Sequence, residues 1–328
     1  MKIAVLHGEV PADAPEDQQD DLIVAGEVYD ALKNLGHQPR MIPFGNDLGE
    51  SIRRISSAGP DFVFNLVESF RGDGKLAFLG ARILEYMNLP CTGNGSASLY
   101  YAADKVLTKT ILKNAGISTP LWLKPDSDLR LDIPHGVRGP FIIKHRTEHA
   151  SVGIDETSVV EDPHLLCHEM ERRSAGGASL FAEQFIRGRE FNVSMMEQNG
   201  EVKVFTPQEV CFNGSSRVGM SIVTYEAKWR TDSVQYRKIR RHSDYPRRER
   251  PRIEAMMGQA RRCWDVLQMG GYARVDFRMD ERGNTHVIDV NANPCLTHDS
   301  NFIISLSSAG LSYEEIINKI IGRFTAIA

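Results

Sequence analysis

Hydrophobic and polar residues alternate in two short runs near the C-terminal end of the chain. The runs cover residues 272–277 and 286–291, and a polar segment containing Gly283 separates them. Alternation with a period of two is typical of β-strands, and two such runs joined by a Gly-containing turn predict a β-hairpin.

The predicted hairpin places acidic side chains against each other on one face. With the turn at residues 282–283, Asp276 lies opposite Asp289, and Arg274 lies opposite Asn291; a bulge in the turn would shift this pairing by one residue. Opposed carboxylates repel unless a cation lies between them, and two Asp with one Asn form an all-oxygen set that suits Mg²⁺. The alternative is a hydrated hairpin face without a metal.

The pattern over the first ninety or so residues is different, because short apolar runs alternate there with amphipathic segments. The predicted strands are 3–6, 41–43 and 62–66, and the predicted helices are 21–35, 48–57 and 76–87. Strands separated by helices favour a parallel, doubly wound sheet.

After a predicted helix at 102–114, the chain changes to short strands around turns. These strands are predicted at 141–144, 179–183, 191–196 and 202–205, and further helices at 253–268 and 313–324. We therefore expect an α/β N-terminal domain over residues 1–95, followed by two α+β domains over residues 96–186 and 187–328.

Composition restricts the class of protein. A chain of 328 residues suggests two or three subdomains, and 41% apolar with 25% charged residues is typical of a globular protein. We find no signal-like leader and no membrane-length apolar segment, so we expect a cytoplasmic protein without a membrane partner. The five cysteines are scattered without a CxxC pair, which indicates a reducing compartment and argues against a zinc site.

A net charge of −4 gives no general case for nucleic-acid binding. One basic run, residues 237–252, is an exception. It would bind an anionic substrate or partner, or it is a hydrated loop and helix start.

Several charged residues stand where they could bind a nucleotide. Lys144 ends an apolar strand before a loop of small residues, and Lys105 and Lys109 share one helix face, so both could reach one anion. Glu183 and Glu190 stand at strand ends, as carboxylates that accept from an amine or a ribose would. Taken singly, each is also compatible with an ordinary surface residue.

The order of these pieces resembles the ATP-grasp superfamily, and most closely the D-alanine–D-alanine ligase family, over nearly the whole chain. The segments that carry the resemblance are 64–69 with 72–74, 89–93, 104–109, 143–144 with 151–153, 182–186 with 188–190, 225–228, 273–277, and 289–294 with Thr297. The resemblance implies an ATP-grasp fold and a ligase that activates a carboxylate with ATP and Mg²⁺ as an acylphosphate, which an amine then attacks.

The resemblance also implies residue roles. Phosphates of ATP would be bound by Lys105, Lys144 and the loop of Ala150, Ser151, Val152 and Gly153. Adenine would contact Glu183, Gln184, Phe185 and Ile186, and the ribose would contact Glu190. The terminal phosphate would contact Lys228, two Mg²⁺ ions would be held by Asp276, Asp289 and Asn291, and the tetrahedral oxyanion would contact Arg274.

The residues that would bind the substrates depart from the family pattern. The family pattern has a hydrogen-bonded Glu, Ser and Tyr. Here Gln19, Asp20 or Asp21 falls near the place of the Glu, and Ala150 and Trp229 replace the Ser and the Tyr, so neither supplies a hydroxyl. On the acceptor side, Ser300 would bind a carboxylate, and His298 would favour a polar or cationic acceptor.

These departures favour a substrate pair of amino acids or short peptides other than two D-alanines, although D-alanine–D-alanine ligation stays open. The alternatives are an ATP-binding regulatory protein without turnover and a kinase-like enzyme that stops at the phosphorylated product. The family also suggests a homodimer.

Overall fold

Three β-sheets organise the chain. The structure is a computed structural model, and it describes residues 1–10, 16–126, 131–148, 153–174, 177–212, 222 and 239–325. The strands are β1 (Lys2–Gly8), β2 (Gln38–Phe44), β3 (Phe62–Asn65), β4 (Trp122–Leu123), β5 (Phe141–His145), β6 (Val159–Val160), β7 (Leu180–Gln184), β8 (Arg189–Gln198), β9 (Glu201–Val204), β10 (Gln208–Phe212), β11 (Ile239–His242), β12 (Tyr272–Met279) and β13 (Thr285–Asn291). The helices are α1 (Glu16–Asn34), α2 (Leu48–Ala58), α3 (Phe78–Tyr86), α4 (Ser96–Ala103), α5 (Lys105–Asn114), α6 (Leu166–Arg173), α7 (Arg250–Val266), α8 (Asn301–Ser308) and α9 (Tyr313–Thr325).

The N-terminal sheet is parallel, as its alternation with helices predicts. It has the order β2-β1-β3, with β1 paired parallel to both neighbours. Successive β1 residues face opposite sides: Ile3 packs in the core that contains α1 and α9, and Ala4 packs in the core that contains α2 and α3. Burial on both faces explains why β1 is apolar from Ile3 to Leu6.

The prediction of one helix over 102–114 is wrong in one respect, because the structure has two helices, α4 and α5, that meet at Asp104. This residue is extended (ψ 105°), and its carboxylate accepts from the backbone N–H groups of Val106 and Leu107 at 3.0 and 3.2 Å. Arg146 also donates to it at 2.8 Å. The side chain thus caps α5, and the break places Lys105 at the first position of α5.

The largest sheet has the order β11-β10-β8-β12-β13, with β9 also paired to β8. Its last two strands are the predicted hairpin, and they pair Asp276 with Asp289 and Arg274 with Asn291. The register therefore agrees with the prediction.

The reason for that register differs from the prediction. The connection is a longer loop, in which the N–H of Asp280 bonds the carbonyl of Asn284 and Met279 pairs with Thr285. A bulge that leaves Ile288 without a direct partner then shifts the pairing by one residue between Phe277 and Asp276. The bulge in β13 restores the pairing that a two-residue turn would have given.

The two faces of this sheet have different surroundings. One face carries Phe191, Val275 and Phe277, which are fully buried against α7. The other face carries Asn192 and Asp276, because side chains alternate along each strand. The polar face is left to line a site.

A third sheet, of order β4-β7-β5-β6, is small and has its own apolar cluster with α6. Several elements were not predicted from the sequence, namely β4, β6, β10, β11, α6 and α8. The first four are five residues or shorter, which leaves little periodicity to detect. Within the described part of the chain, we find no helix of the length and apolarity that a membrane span requires.

Helices α4 and α5 pack in the same apolar cluster as β12 and α7, so the core of the large sheet includes residues N-terminal to the small sheet. The proposed division at residues 95 and 186 stays a prediction.

Asn94 connects the N-terminal part of the chain to the hairpin. Its side-chain amide donates to the carbonyls of Tyr272 and Ala292 at 2.8 and 2.7 Å, and its oxygen accepts from the N–H of Gly270 at 2.8 Å. Asn94 is 1% exposed, so water does not replace these partners.

We expect Asn94→Ala to lower the free energy of unfolding by about 2–4 kcal/mol, because buried backbone groups lose their partner. Urea denaturation of the full chain measures this. Asn114→Ala is the matched control, since Asn114 is exposed at the end of α5 and its loss should change stability by less than about 0.5 kcal/mol. Equal effects of the two substitutions would contradict the assignment.

Candidate functional site

A cleft lies between the small sheet and the polar face of the large sheet. The cleft is open to solvent, and the empty space within it, open solvent included, is about 770 Å³. The residues that line it are Lys105, Ile142, Lys144, His145, Glu148, Ile154, Glu183, Gln184, Phe185, Ile186, Glu190, Ile222, Asp276, Arg278, Ile288 and Asp289. Nine of the residues that the sequence selected for ATP and Mg²⁺ are thus brought together in this cleft.

Glu183 is the most deeply buried charge in the cleft wall, at 1% exposure. One carboxylate oxygen lies 2.5 Å from Nζ of Lys144 and the other lies 2.5 Å from Nζ of Lys109. Burial alone would raise the pKa of the Glu183 carboxyl, but the two ammonium groups outweigh it and the pKa lies below its ordinary value. The carboxylate is therefore charged at neutral pH.

The two lysines respond differently to burial. Burial lowers the pKa of Lys109, whose side chain is 3% exposed, whereas for Lys144, at 11%, the attraction of Glu183 outweighs burial and raises the pKa. Lys109 also donates to Thr119 at 3.0 Å. The sequence suggested that Lys105 and Lys109 reach one anion, but the structure gives them different partners.

Lys105 extends from the start of α5 toward the hairpin. Its Nζ lies 3.3 Å from Oδ2 of Asp289, whose other oxygen accepts from the N–H of Val290 at 3.0 Å. A cation thus accompanies one of the two opposed carboxylates, as the repulsion between Asp276 and Asp289 requires.

Arg274 accompanies the other carboxylate. It donates to both oxygens of Asp276, at 2.8 and 2.9 Å, and Asn192 donates to Asp276 at 2.7 Å. Such a two-point contact fixes the orientation of a guanidinium. The predicted oxyanion donor therefore lies directly beside a predicted metal ligand. Asn291 follows Asp289 on the same face, and its side-chain oxygen accepts from the N–H of Asn293 at 2.9 Å.

Arg278 is a residue of the cleft that the sequence reasoning missed. It pairs with Glu190 at 3.0 Å, donates to the carbonyls of Ile186 and Gly188 at 2.7 and 3.0 Å, and lies 4.6 Å from the ring centre of Phe185. The signal was present, because Arg278 follows Asp276 by two residues in an alternating strand. Burial raises the pKa of Glu190, although Arg278 opposes this.

The segment predicted to contact adenine joins β7 to β8 at the edge of the cleft. The N–H of Gln184 bonds the carbonyl of Leu121, and the N–H of Phe185 bonds the carbonyl of Pro140, both at 2.8 Å. These bonds fix the backbone of the segment, while the Glu183 side chain is directed to the lysines rather than outward.

The predicted phosphate loop is described only at its ends. Gly153 has a φ of +71°, and a Cβ built there would lie 2.9 Å from Cδ2 of His145, so glycine is required on both counts. Ala150, Ser151 and Val152 lie outside the described residues, as do Lys228 and Trp229.

The predicted acceptor residues adjoin the cleft through a chain of hydrogen bonds. Ser300 caps α8, accepting from the N–H of Ile303 at 3.3 Å. The next residue, Asn301, donates to Asn192 at 3.0 Å, which in turn donates to Asp276. The start of α8 is thus linked to the acidic face of the hairpin.

His298 is turned toward α1 and α9. Its Nδ1 and its backbone nitrogen each lie 2.9 Å from Oε2 of Glu27, and its ring stacks on Tyr313 at 3.9 Å. Asp21 lies against the end of β1, where a Cβ at Gly8 would meet its Oδ2 at 2.7 Å. Asp20 is on α1, and its side chain is not among those described.

Part of the basic run is ordered beside this region. Arg241 of β11 donates to the side chain of Asn301 at 2.5 Å. The run thus contributes one arginine next to the predicted acceptor segment, while residues 237–238 lie outside the described part.

Comparisons with known proteins agree on one family. Residues 112–322 match the family model described as D-ala D-ala ligase C-terminus. The chain is 28% identical to a D-alanine–D-alanine ligase of Bordetella avium, with 96% of this chain and 92% of that protein covered, and 28% identical to one of Methylococcus capsulatus, with 96% and 93% covered. The crystal structure of D-alanine–D-alanine ligase from Bacillus anthracis complexed with ATP superimposes with a TM-score of 0.76 at 20% identity, covering all of this chain and 98% of the other.

We expect Glu183→Gln to lower the free energy of unfolding by about 3–5 kcal/mol near neutral pH, because two buried ammonium groups lose their counter-charge. The Glu183 pKa is lowered from 4.5, so its stabilising effect is complete above that value and is lost as the pH falls through the folded-state pKa. The difference between wild type and variant should therefore shrink in acid. Urea denaturation between about pH 7 and about pH 3 measures it.

Glu50→Gln is the control for this experiment. Glu50 also contacts two arginines, Arg53 and Arg54, but on an exposed helix surface, where ion pairs contribute little. A Glu183→Gln effect as small as that of Glu50→Gln, or one that does not change with pH, would refute the proposed role of the buried charges.

Proposed function

The chain belongs to the D-alanine–D-alanine ligase family, and from this premise we propose that it is an ATP- and Mg²⁺-dependent ligase that joins a carboxylate to an amine through an acylphosphate. One observation carries the proposal: a single cleft brings two lysines, Lys105 and Lys144, against the paired carboxylates Asp276 and Asp289. Lysines neutralise phosphate charge, and opposed carboxylates suit divalent cations.

The nucleotide occupies the cleft in this proposal. Lys105 and Lys144 bind its phosphates, together with the loop of Ala150, Ser151, Val152 and Gly153. The segment Glu183, Gln184, Phe185 and Ile186 contacts adenine, and Glu190 contacts the ribose. Arg278 is an addition to the predicted set, because it holds both Glu190 and the carbonyl of Ile186 in place.

The donor set on the hairpin fits Mg²⁺. Asp276, Asp289 and Asn291 present oxygen ligands on one face, and each of the two acids has a cationic partner, Arg274 or Lys105. Two Mg²⁺ ions held there neutralise charge on the transferring phosphoryl group.

The reaction has two steps. A carboxylate oxygen of the first substrate attacks the γ-phosphate of ATP and releases ADP, and the amine of the second substrate then displaces phosphate from the acylphosphate. Lys228 contacts the terminal phosphate. Arg274 stabilises the oxyanion that forms when the amine adds, and Asp276, which itself accepts from Asn192, holds the Arg274 guanidinium beside the metal face.

We further propose that the substrates are amino acids or short peptides other than two D-alanines. Ala150 and Trp229 lack the hydroxyls that the family pattern has, and a site that loses such hydrogen bonds discriminates against the old substrate. Ser300 binds the carboxylate of the acceptor, and His298 favours a polar or cationic acceptor; Glu27 and Arg241 add charge beside this segment. A homodimer and a cytoplasmic location stay predictions.

The regulatory alternative is less favoured. Relatives named as ligases match the chain along 96% of its length.

We expect Asp289→Asn to reduce ATP-dependent phosphate release at least about 100-fold, because the metal face loses one of its charges. Phosphate release is measured with ATP, Mg²⁺ and a panel of D- and L-amino acids and dipeptides. The melting temperature should change little, since the Asp289 side chain is 25% exposed.

Asp30→Asn, an exposed aspartate of α1, should leave both activity and melting temperature unchanged. Retained activity in Asp289→Asn together with a collapsed melting temperature would refute the metal assignment. Binding of ATP without amine-dependent phosphate release from any pair in the panel would refute the ligase itself.

We expect the double variant Ala150→Ser with Trp229→Tyr to raise D-alanine-dependent phosphate release, because it returns the two hydroxyls. Trp122→Tyr, a matched aromatic change on β4, should not raise it. A fall or no change in the double variant would contradict the assignment of these two positions to the first substrate.

A further inference from the structure

A second cluster of metal-ligating side chains lies at the edge of the large sheet. Glu209 and Cys211 belong to β10, and His242 of β11 lies directly opposite Glu209. Residues two apart in a strand project from the same face, and directly opposed residues share that face. The three side chains therefore converge on one side of the strand pair.

This side is the reverse of the one that lines the nucleotide cleft. Glu209 pairs with Phe191 of β8, and Phe191 pairs with Phe277 of β12. Those aromatics pack against α7, whereas the neighbouring Asn192 and Asp276 face the cleft. The sheet separates the cluster from the catalytic residues.

The ligand atoms are close enough to share an ion. One carboxylate oxygen of Glu209, Sγ of Cys211 and a ring nitrogen of His242 all lie within 4.8 Å of one another, and Nε2 of His242 is 3.1 Å from Oε2 of Glu209. In a tetrahedral zinc site, ligand atoms are about 3.3–3.8 Å apart, as follows from metal–ligand distances of about 2.0–2.3 Å. An inward movement of about 1 Å at most thus completes the geometry.

We propose that Glu209, Cys211 and His242 form a Zn²⁺ site with an open fourth position. The donor set of one sulfur, one nitrogen and one oxygen suits zinc, whereas Mg²⁺ prefers oxygen alone. The His242 side chain is 46% exposed, so the site opens to solvent and a water completes the coordination. Binding forms a Zn–S bond and releases the thiol proton of Cys211 to solvent.

The surroundings fit a site that exchanges its cation. Arg189 donates to both oxygens of Glu209, at 2.7 and 2.5 Å, and to Glu249 at 2.6 Å. The Arg189 guanidinium neutralises the Glu209 carboxylate. When zinc neutralises Glu209 instead, the guanidinium keeps Glu249 as its partner. The ring of Tyr245 lies 5.5 Å from the ring of His242, and its hydroxyl donates to the carbonyl of Pro207 at 2.8 Å, which shapes the wall behind the histidine.

The sequence argued against zinc because the cysteines are scattered. That expectation assumed ligands that are close together in sequence. Here His242 is more than thirty residues from Glu209 along the chain, and the pairing of β10 with β11 brings the two side by side. The cluster is visible only once the strand register is known.

The test uses Co²⁺ and Zn²⁺ on the full chain in the presence of excess Mg²⁺, which occupies oxygen-only sites. We expect Co²⁺ to produce a near-ultraviolet thiolate-to-cobalt charge-transfer band, and Zn²⁺ to abolish it at one equivalent per chain. Cys211→Ser should remove the band, and His242→Ala should weaken Zn²⁺ binding at least about tenfold, as loss of one ligand does. Elemental analysis after dialysis gives the stoichiometry.

Cys167→Ser is the matched control, because Cys167 is half-buried on α6 and belongs to no such cluster among the described residues. It should keep the band and the stoichiometry. The proposal is overturned by the absence of a band in the wild type, by a band that survives Cys211→Ser, or by loss of binding in Cys167→Ser. Near-wild-type melting temperatures of the Cys211→Ser and His242→Ala variants separate lost ligation from lost folding, and the result is independent of the ligase assignment.

Discussion

The buried carboxylate of Glu183 is the interaction on which the geometry of the cleft depends. It lies on the small sheet, yet it binds one lysine from its own sheet, Lys144, and one from α5, Lys109. Helix α5 packs in turn against the core of the large sheet. Because a charge pair out of water tolerates little separation, this side chain ties the small sheet to α5 and, through α5, to the large sheet.

The same balance of charge extends across the cleft. Asp276 and Asp289 face each other in the hairpin, and each is accompanied by a cation, Arg274 or Lys105. This wall is close to neutral by itself and has little spare positive charge for the phosphates of a nucleotide. Divalent cations that enter with the nucleotide supply that positive charge. The arrangement therefore favours the metal complex of a nucleotide over either component alone.

The sequence predicted the parts of this site that depend on local alternation and failed where distant elements meet. The hairpin register at Asp276 and Asp289 was predicted from alternation and an assumed turn at residues 282–283, although the structure reaches it through a longer loop and a bulge at Ile288. By contrast, the separate partners of Lys105 and Lys109 depend on Asp104, whose capping of α5 is fixed by Arg146 from another element. Arg278 was accessible to the same alternation argument, but its partners Glu190 and Ile186 are ninety residues away, and nothing local identified them.

Asn94 has a consequence for how the chain tolerates rearrangement. Its one amide group bonds the backbone of Tyr272 at the start of β12, of Ala292 directly after β13, and of Gly270 two residues before β12. The N-terminal part and the hairpin therefore depend on each other through these hydrogen bonds, and neither can be exchanged without the other. A chimera that took residues 1–95 from a relative would need a side chain at position 94 that donates and accepts in the same way, or the acidic hairpin would lose its fixed orientation toward the rest of the molecule.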